Sequence, residues 1–133
     1  LLMPIVTDSN KANEVLKRSK INQYLKLLAR NWFQVKSADE LYAVASLKTV
    51  NGKLQVKGGT AWAVQMAISS NKKVFVYNQD VAQWFYWDFQ KQNFSTLNVQ
   101  PKITSLYFAG IGTRNINIFG IHAIEELFKN TFE

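Results

Sequence analysis

The chain has 133 residues, 47% of them apolar, which suits one domain with its own core. It has no cysteine, which excludes disulfides, thiolate-bound zinc and cysteine nucleophiles, and no apolar run approaches the ~20 residues of a membrane helix. The formal net charge of +7 favours anionic partners, yet the lysines are scattered and no run of five basic residues occurs, so a nucleic-acid footprint and a plain soluble basic surface both fit.

From the amino end, Leu1 to Val6 is apolar but short and lacks a basic leader, which argues against a signal peptide; a cytoplasmic protein is expected. Asp8-Ser9-Asn10 reads as a helix cap. Residues 11–19 and 21–30 then read as one broken helix or two short ones, with Ile21, Tyr24, Leu25 and Leu28 on one apolar face. The continuous apolar run 41–47 is the mark of a strand buried on both sides. Asn51-Gly52 is a tight-turn signal that closes a small hairpin between Lys48 and Val56.

Gly58-Gly59-Thr60 precedes a helix over 61–70, whose core face is Ala61, Val64, Ala67 and Ile68. Residues 73–78 form a second buried strand, so the order strand, glycine turn, helix, strand predicts a parallel βαβ unit. Residues 83–88 and 93–97 read as an aromatic hairpin in which Trp84, Phe85, Tyr86 and Trp87 alternate between faces. A third buried strand is expected over 105–109, then a second glycine turn, Gly110-Ile111-Gly112-Thr113-Arg114, and a last helix from Ile118 with Ile121, Ile124 and Phe128 inward. The expected architecture is one α/β domain, a Rossmann-like three-layer sandwich. It has a short, mainly parallel sheet, an aromatic hairpin at one edge, a helical segment over 1–30 and a hairpin insertion over 79–105.

Both glycine turns are expected between the end of a buried strand and the start of a helix. The first N–H groups of a helix lack internal partners and carry the positive end of its dipole. Glycine allows close approach of an anion, and a threonine hydroxyl adds a donor. Gly58, Gly59 and Thr60, with Gly110, Gly112 and Thr113, are therefore candidate phosphate ligands, and Arg114 adds a charge-assisted fork. The alternative at each turn is a tight strand-to-helix connection and nothing more. In an open parallel sheet, turns at the carboxyl ends of the strands share one edge, so the two would face one ligand.

At these residues the chain resembles the SLOG superfamily, which includes Lonely Guy phosphoribohydrolases, the DNA-processing protein A fold and YspA-like proteins. Residues 30–39, Arg30-Asn31-Trp32-Phe33-Gln34-Val35-Lys36-Ser37-Ala38-Asp39, are similar to the family run R-D-x-x-M-V-x-x-S-D. Lys57-Gly58-Gly59-Thr60 is similar to its glycine motif, and Phe108 to Arg114 to its G-x-G-S-R motif. The likeness spans most of 30–78 and 106–130, with the G-x-G-S-R-like segment last rather than first, as in a circular permutation. The chain also resembles domains of tailed-phage proteins, which implies a bacterial host's cytoplasm or a virion. The resemblance implies nucleotide binding and raises Asp39 to a candidate ligand residue. It argues against Lonely Guy chemistry: laid on Gly58-Gly59, that motif's later positions fall on Ala61, Trp62 and Gln65, with an amide where the family has its glutamate.

Trp62, one turn into its helix, is a candidate for stacking a base, and Asn78 and Gln79 for bonding a ribose or base; core packing is the alternative for the aromatics. His122, the only histidine, has no histidine or cysteine partner and reads as packing or surface. No cofactor or metal is expected. The leading expectation is non-catalytic binding of a nucleotide-like ligand, for sensing or sequestration, by a homodimer or larger homo-oligomer. A nucleoside-phosphate or N-glycosidic hydrolase using Asp39 or Asp80, and a structural module of a larger phage protein, are the alternatives.

Overall fold

The computed structural model describes residues 25–132, together with Asp8, residues 10–12 and Glu14. The expected apolar face of Ile21, Tyr24, Leu25 and Leu28 lies outside the described side chains, as do most of residues 11–19. In chain order the elements are α1 (Leu25–Lys36), β1 (Glu40–Ala45), β2 (Leu47–Val50), β3 (Lys53–Val56), α2 (Thr60–Ser69), β4 (Lys73–Asn78), β5 (Gln83–Asp88), β6 (Asn93–Thr96), β7 (Phe108–Gly112) and α3 (Ile118–Phe132). The protein is α/β, with a mixed five-stranded sheet in the order β6-β5-β4-β1-β7 and a separate β2–β3 hairpin.

β1 is central, and its six residues are all buried, as a strand covered on both faces requires. It pairs in parallel with β4 on one side and with β7 on the other. Leu41, Ala43 and Ala45 join the larger core with Val35 of α1 and the apolar residues of α2. Tyr42 joins a second cluster with Trp84, Ile103 and, from α3, Ala123 and Leu127. The twofold alternation of one strand thus supplies two cores, one with α2 and one with α3. β5 and β6 extend the sheet antiparallel to β4, so the aromatic hairpin stands at one edge. Asn51 and Gly52 close the small hairpin with φ of 52° and 78°, the pair of positive values that a type I′ turn needs.

Three expectations are corrected. β1 ends at Ala45, and Leu47 already belongs to the hairpin. The last strand runs Phe108–Gly112, not 105–109, because the segment before it is held by side chains at the start of β1. Asp39 Oδ2 accepts the Ser105 hydroxyl at 2.8 Å, and the Glu40 carboxylate accepts the Thr104 and Ser105 N–H groups, both at 2.9 Å. Leu106 is consequently 93% exposed.

The third correction concerns α3, which turns Gly120, Ala123 and Leu127 inward and leaves Ile121 and Phe128 exposed. Gly120 fixes this rotation. A Cβ there would lie 2.7 Å from Val44 Cγ1 and 2.8 Å from both Gln79 Oε1 and Ile116 Cγ1. The helical period carries that closest approach on to Ala123 and Leu127.

Candidate functional site

The first turn enters α2 as expected. Gly58 takes φ +76°, a conformation that suits glycine, and Gly59 serves as N-cap without any side-chain capping bond. No acidic residue lies in the first turn of α2, so nothing in its own sequence neutralises the dipole there. Lys57 N–H donates to Ser46 O at 2.9 Å, which sets the turn at the carboxyl end of β1. Thr113 N–H donates to Val44 O at 2.8 Å, which sets the second turn at the same end. Gln79 N–H donates to Ala45 O at 3.1 Å, so the end of β4 arrives there too. Gly58, Gly59, Thr60, Asn78, Gly112, Thr113 and Arg114 therefore share one edge of the sheet, and α2 also touches β7.

The second turn differs from the expected cradle of amides. α3 starts five residues beyond Thr113 and is capped internally: Asn117 Oδ1 accepts Gly120 N–H at 3.0 Å. Gln79, 6% exposed, fastens the loop. Its Nε2 donates to Asn115 O at 3.0 Å, and its Oε1 accepts Asn117 N–H at 2.9 Å. This side chain is a brace, and its expected role toward a ribose or base is withdrawn. With Thr113 N–H bonded to β1, the turn has the Thr113 hydroxyl and the exposed Arg114 guanidinium to offer an anion. Asn78 is buried, and its Oδ1 accepts Asp80 N–H at 3.1 Å. Asp80 is exposed and adjoins this edge.

Three expected ligand residues stand elsewhere. Trp62 is 5% exposed and packs in the main core, because every face of α2 but a narrow polar stripe is covered. It is not a stacking platform. Asp39 precedes β1 and so lies at the amino end of the parallel strands, a strand's length from the glycine turns. Gly110 is a strand residue paired with Tyr42, not part of a loop, and Gly112 is the last residue of the same strand, paired with Val44, so the turn begins at Thr113.

Gly110 and Gly112 nonetheless border open space. Neither has a positive φ, and a Cβ on either would meet nothing within 4 Å. Glycine inside a strand costs roughly 0.5–1 kcal/mol relative to alanine. Beside the pair is a cavity of about 240 Å³ walled by Tyr42, Val44, Trp84, Phe108, Ile124 and Leu127. Thr113 turns its N–H toward β1, so alternation turns the N–H and C=O of Gly110 and Gly112 toward the free edge of β7. That edge has no partner strand among the described residues.

The sequence reading missed Glu40. This carboxylate is 3% exposed and holds residues 104–105 with two N–H groups and the Thr104 hydroxyl, 64 and 65 residues away in the chain. Only its place at the head of an apolar run marks it in the sequence. Tyr42 donates its hydroxyl to Lys102 O at 3.0 Å on the same side. Burial, then the neighbouring Glu40 charge, raises its hydroxyl's pKa far above the usual tyrosine range. Burial raises that of Tyr77 as well. Among the described residues no cluster of three or more His, Asp or Glu is placed to hold a metal. His122 faces Glu126, at 3.9 Å on the exposed side of α3. No helix of the described residues is long and apolar enough to cross a membrane.

Comparison with known proteins returned no match from family models, from curated proteins or from solved structures.

Proposed function

We propose that the protein binds a nucleotide-like phosphate ligand in the crevice between the first turn of α2 and the Thr113-Arg114 turn, in the manner of a Rossmann-like SLOG domain. One observation carries this reading. The chain leaves β1 toward α2 on one face of the sheet and leaves β7 toward α3 on the other, with the two strands adjacent. Such a divergence opens a crevice at the carboxyl ends of parallel strands. Its two lips are Gly58-Gly59-Thr60 and Gly112-Thr113-Arg114.

The two lips have different chemistry. The α2 lip contributes amide donors and the helix dipole, and the β7 lip contributes a hydroxyl and a guanidinium. The cavity beside Gly110 and Gly112 takes the sugar or base, with outward main-chain groups available to a polar ring edge. Stacking on Trp62 forms no part of this reading. Among the described residues Asp80 is the one acid near the crevice, so hydrolysis would have to rest on it.

Nucleoside monophosphates are expected to raise the melting temperature by several degrees at saturating concentration and to be recovered unchanged. Ribose 5-phosphate is expected to do so less, and Gly59→Glu to abolish the shift by placing a carboxylate at the helix terminus. The absence of any shift at millimolar nucleotide contradicts the reading, and turnover of the recovered ligand transfers it to a hydrolase.

We further propose that α3 pairs with a second copy. Ile118, Ile121, Phe128 and Phe132 recur along one exposed stripe of the helix, beside the free edge of β7. Sedimentation is expected to give a dimer that Ile118→Glu/Phe132→Glu converts to monomer; a monomeric parent protein refutes the pairing.

A further inference from the structure

The free edge of β7 lacks the usual protection against strand pairing. Its register against β1 is continuous, so no bulge turns it away. Residues 103–113 contain no charged residue and no proline, the side chains that blunt an edge. Phe108, Gly110 and Gly112 turn their N–H and C=O groups outward, because Thr113 N–H donates inward to Val44 O. An edge of this kind is a template for another strand.

The same three residues share the α3 face of the sheet. Phe108 packs against the cluster of Tyr42, Trp84 and Leu127, and alternation sets Gly110 and Gly112 on that face beside the cavity of about 240 Å³. β7 thus carries a ring at one end and an unfilled position at the other. That order is self-complementary. Antiparallel pairing of two β7 strands about a twofold axis at Gly110 sets Gly110 opposite Gly110, and Phe108 opposite Gly112 in both directions. It is the register that pairs all three outward residues of both strands, each pair exchanging both of its N–H···O=C bonds. A ring across from an edge glycine supplies the side chain that the glycine lacks. The apolar flank of α3 lies on the same side, with Phe128 meeting Phe108 at 6.2 Å and stacking on Phe132 at 5.9 Å. An axis normal to the sheet puts both α3 helices on one face, with these rings flanking the seam.

We infer that two copies join through antiparallel β7 strands centred on Gly110, so that their five-stranded sheets become one and Phe108 of each copy covers Gly112 of the other. This pairing rests on the reading that α3 meets a second copy, and it adds the strand register and a consequence for the ligand. The partner's Phe108 and a nucleotide ring take the same hollow beside Gly110 and Gly112. Strand pairing also uses the outward main-chain groups that a ring edge would bond. The joined form is therefore the form without nucleotide.

The chain has no cysteine, so introduced thiols report the register. Gly110→Cys puts two thiols on the axis with Cα atoms about 5.5 Å apart, inside the roughly 4.4–6.8 Å that disulfides span. A Cβ there meets nothing within 4 Å. Oxidation is expected to turn most of this variant into a covalent dimer on a non-reducing gel. Leu106→Cys is 93% exposed but four residues from the axis in each copy, which leaves its thiols more than about 20 Å apart and uncrosslinked. Phe108→Cys and Gly112→Cys should crosslink when mixed and neither alone, which serves if Gly110→Cys does not fold. AMP at millimolar concentration should lower the dimer fraction of the parent protein in sedimentation. A sedimenting dimer that neither Gly110→Cys nor the mixed thiols trap overturns the β7 pairing and leaves the α3 contact standing, whereas a monomer refutes both. Equal crosslinking of Leu106→Cys also overturns the register. AMP that raises the melting temperature but leaves the dimer intact overturns the shared hollow.

Discussion

Glu40→Ala is expected to lower the unfolding free energy by about 2–4 kcal/mol in urea titrations, while nucleotide binding persists in the folded fraction. The reason lies in what the carboxylate does. It sits at the first residue of the central strand and receives the N–H groups of Thr104 and Ser105 and the Thr104 hydroxyl. Bonds to an ionised acceptor contribute more than neutral ones, and truncation leaves several donors without a partner at once. The same residue determines where the return segment from the aromatic hairpin meets the sheet, and hence where β7 begins. Amide exchange over residues 101–107 should therefore accelerate in the variant more than exchange in β4. Glu40→Gln, which keeps the shape and one good acceptor, should lose about half as much. A loss below about 1 kcal/mol for Glu40→Ala would mean that the chain finds this register without the carboxylate.

The second large effect is expected at Gly120. Alanine there gains up to ~1 kcal/mol of helix propensity but introduces a Cβ at 2.7–2.8 Å from three heavy atoms. Two of these belong to Val44 and Ile116, which have no long flexible end to swing aside. The third is Gln79 Oε1, which is fixed by the Asn117 N–H. Relief must come from α3 moving off the sheet or from Gln79 releasing its bonds. Overpacking of this kind costs typically 1–3 kcal/mol, so a net loss of roughly 1–2 kcal/mol is expected in denaturant titrations. Because Gln79 braces the loop that carries Thr113 and Arg114, nucleotide affinity should fall together with stability. Stability unchanged or raised in Gly120→Ala would show that the helix does not need its close approach to Val44.

Much of the fold was legible from local signals. The continuous apolar runs gave the two central strands, Asn51-Gly52 gave its hairpin, and Gly58-Gly59-Thr60 gave the start of α2. Each rests on a preference of a few neighbouring residues. What was not legible depends on partners far along the chain. The register of β7 is set by Glu40, across more than sixty residues. The last helix carries two apolar stripes, and periodicity alone cannot choose between Ile121 and Ala123 for the inner one. A glycine packed on Val44 makes that choice.

The site was read with similar strengths and gaps. The convergence of the two turns follows from placing glycines after parallel strands. The commitment of Gln79 to Asn115 and Asn117 does not, because an amide side chain at a strand end can serve a ligand or a loop equally well. Trp62 was misread because α2 is buried nearly all round, a property its neighbours in space confer.

The most direct measurement of the central claim is an amide chemical-shift titration of the ¹⁵N-labelled protein with AMP. The nucleotide reading predicts that the amides of Gly58, Gly59 and Thr60 move together with those of Gly112, Thr113 and Arg114, along one saturation curve, while Asp39 at the far end of the sheet stays still. Movement of one turn without the other, or shifts centred on Asp39 or Trp87 instead, would contradict a shared phosphate site between the two lips.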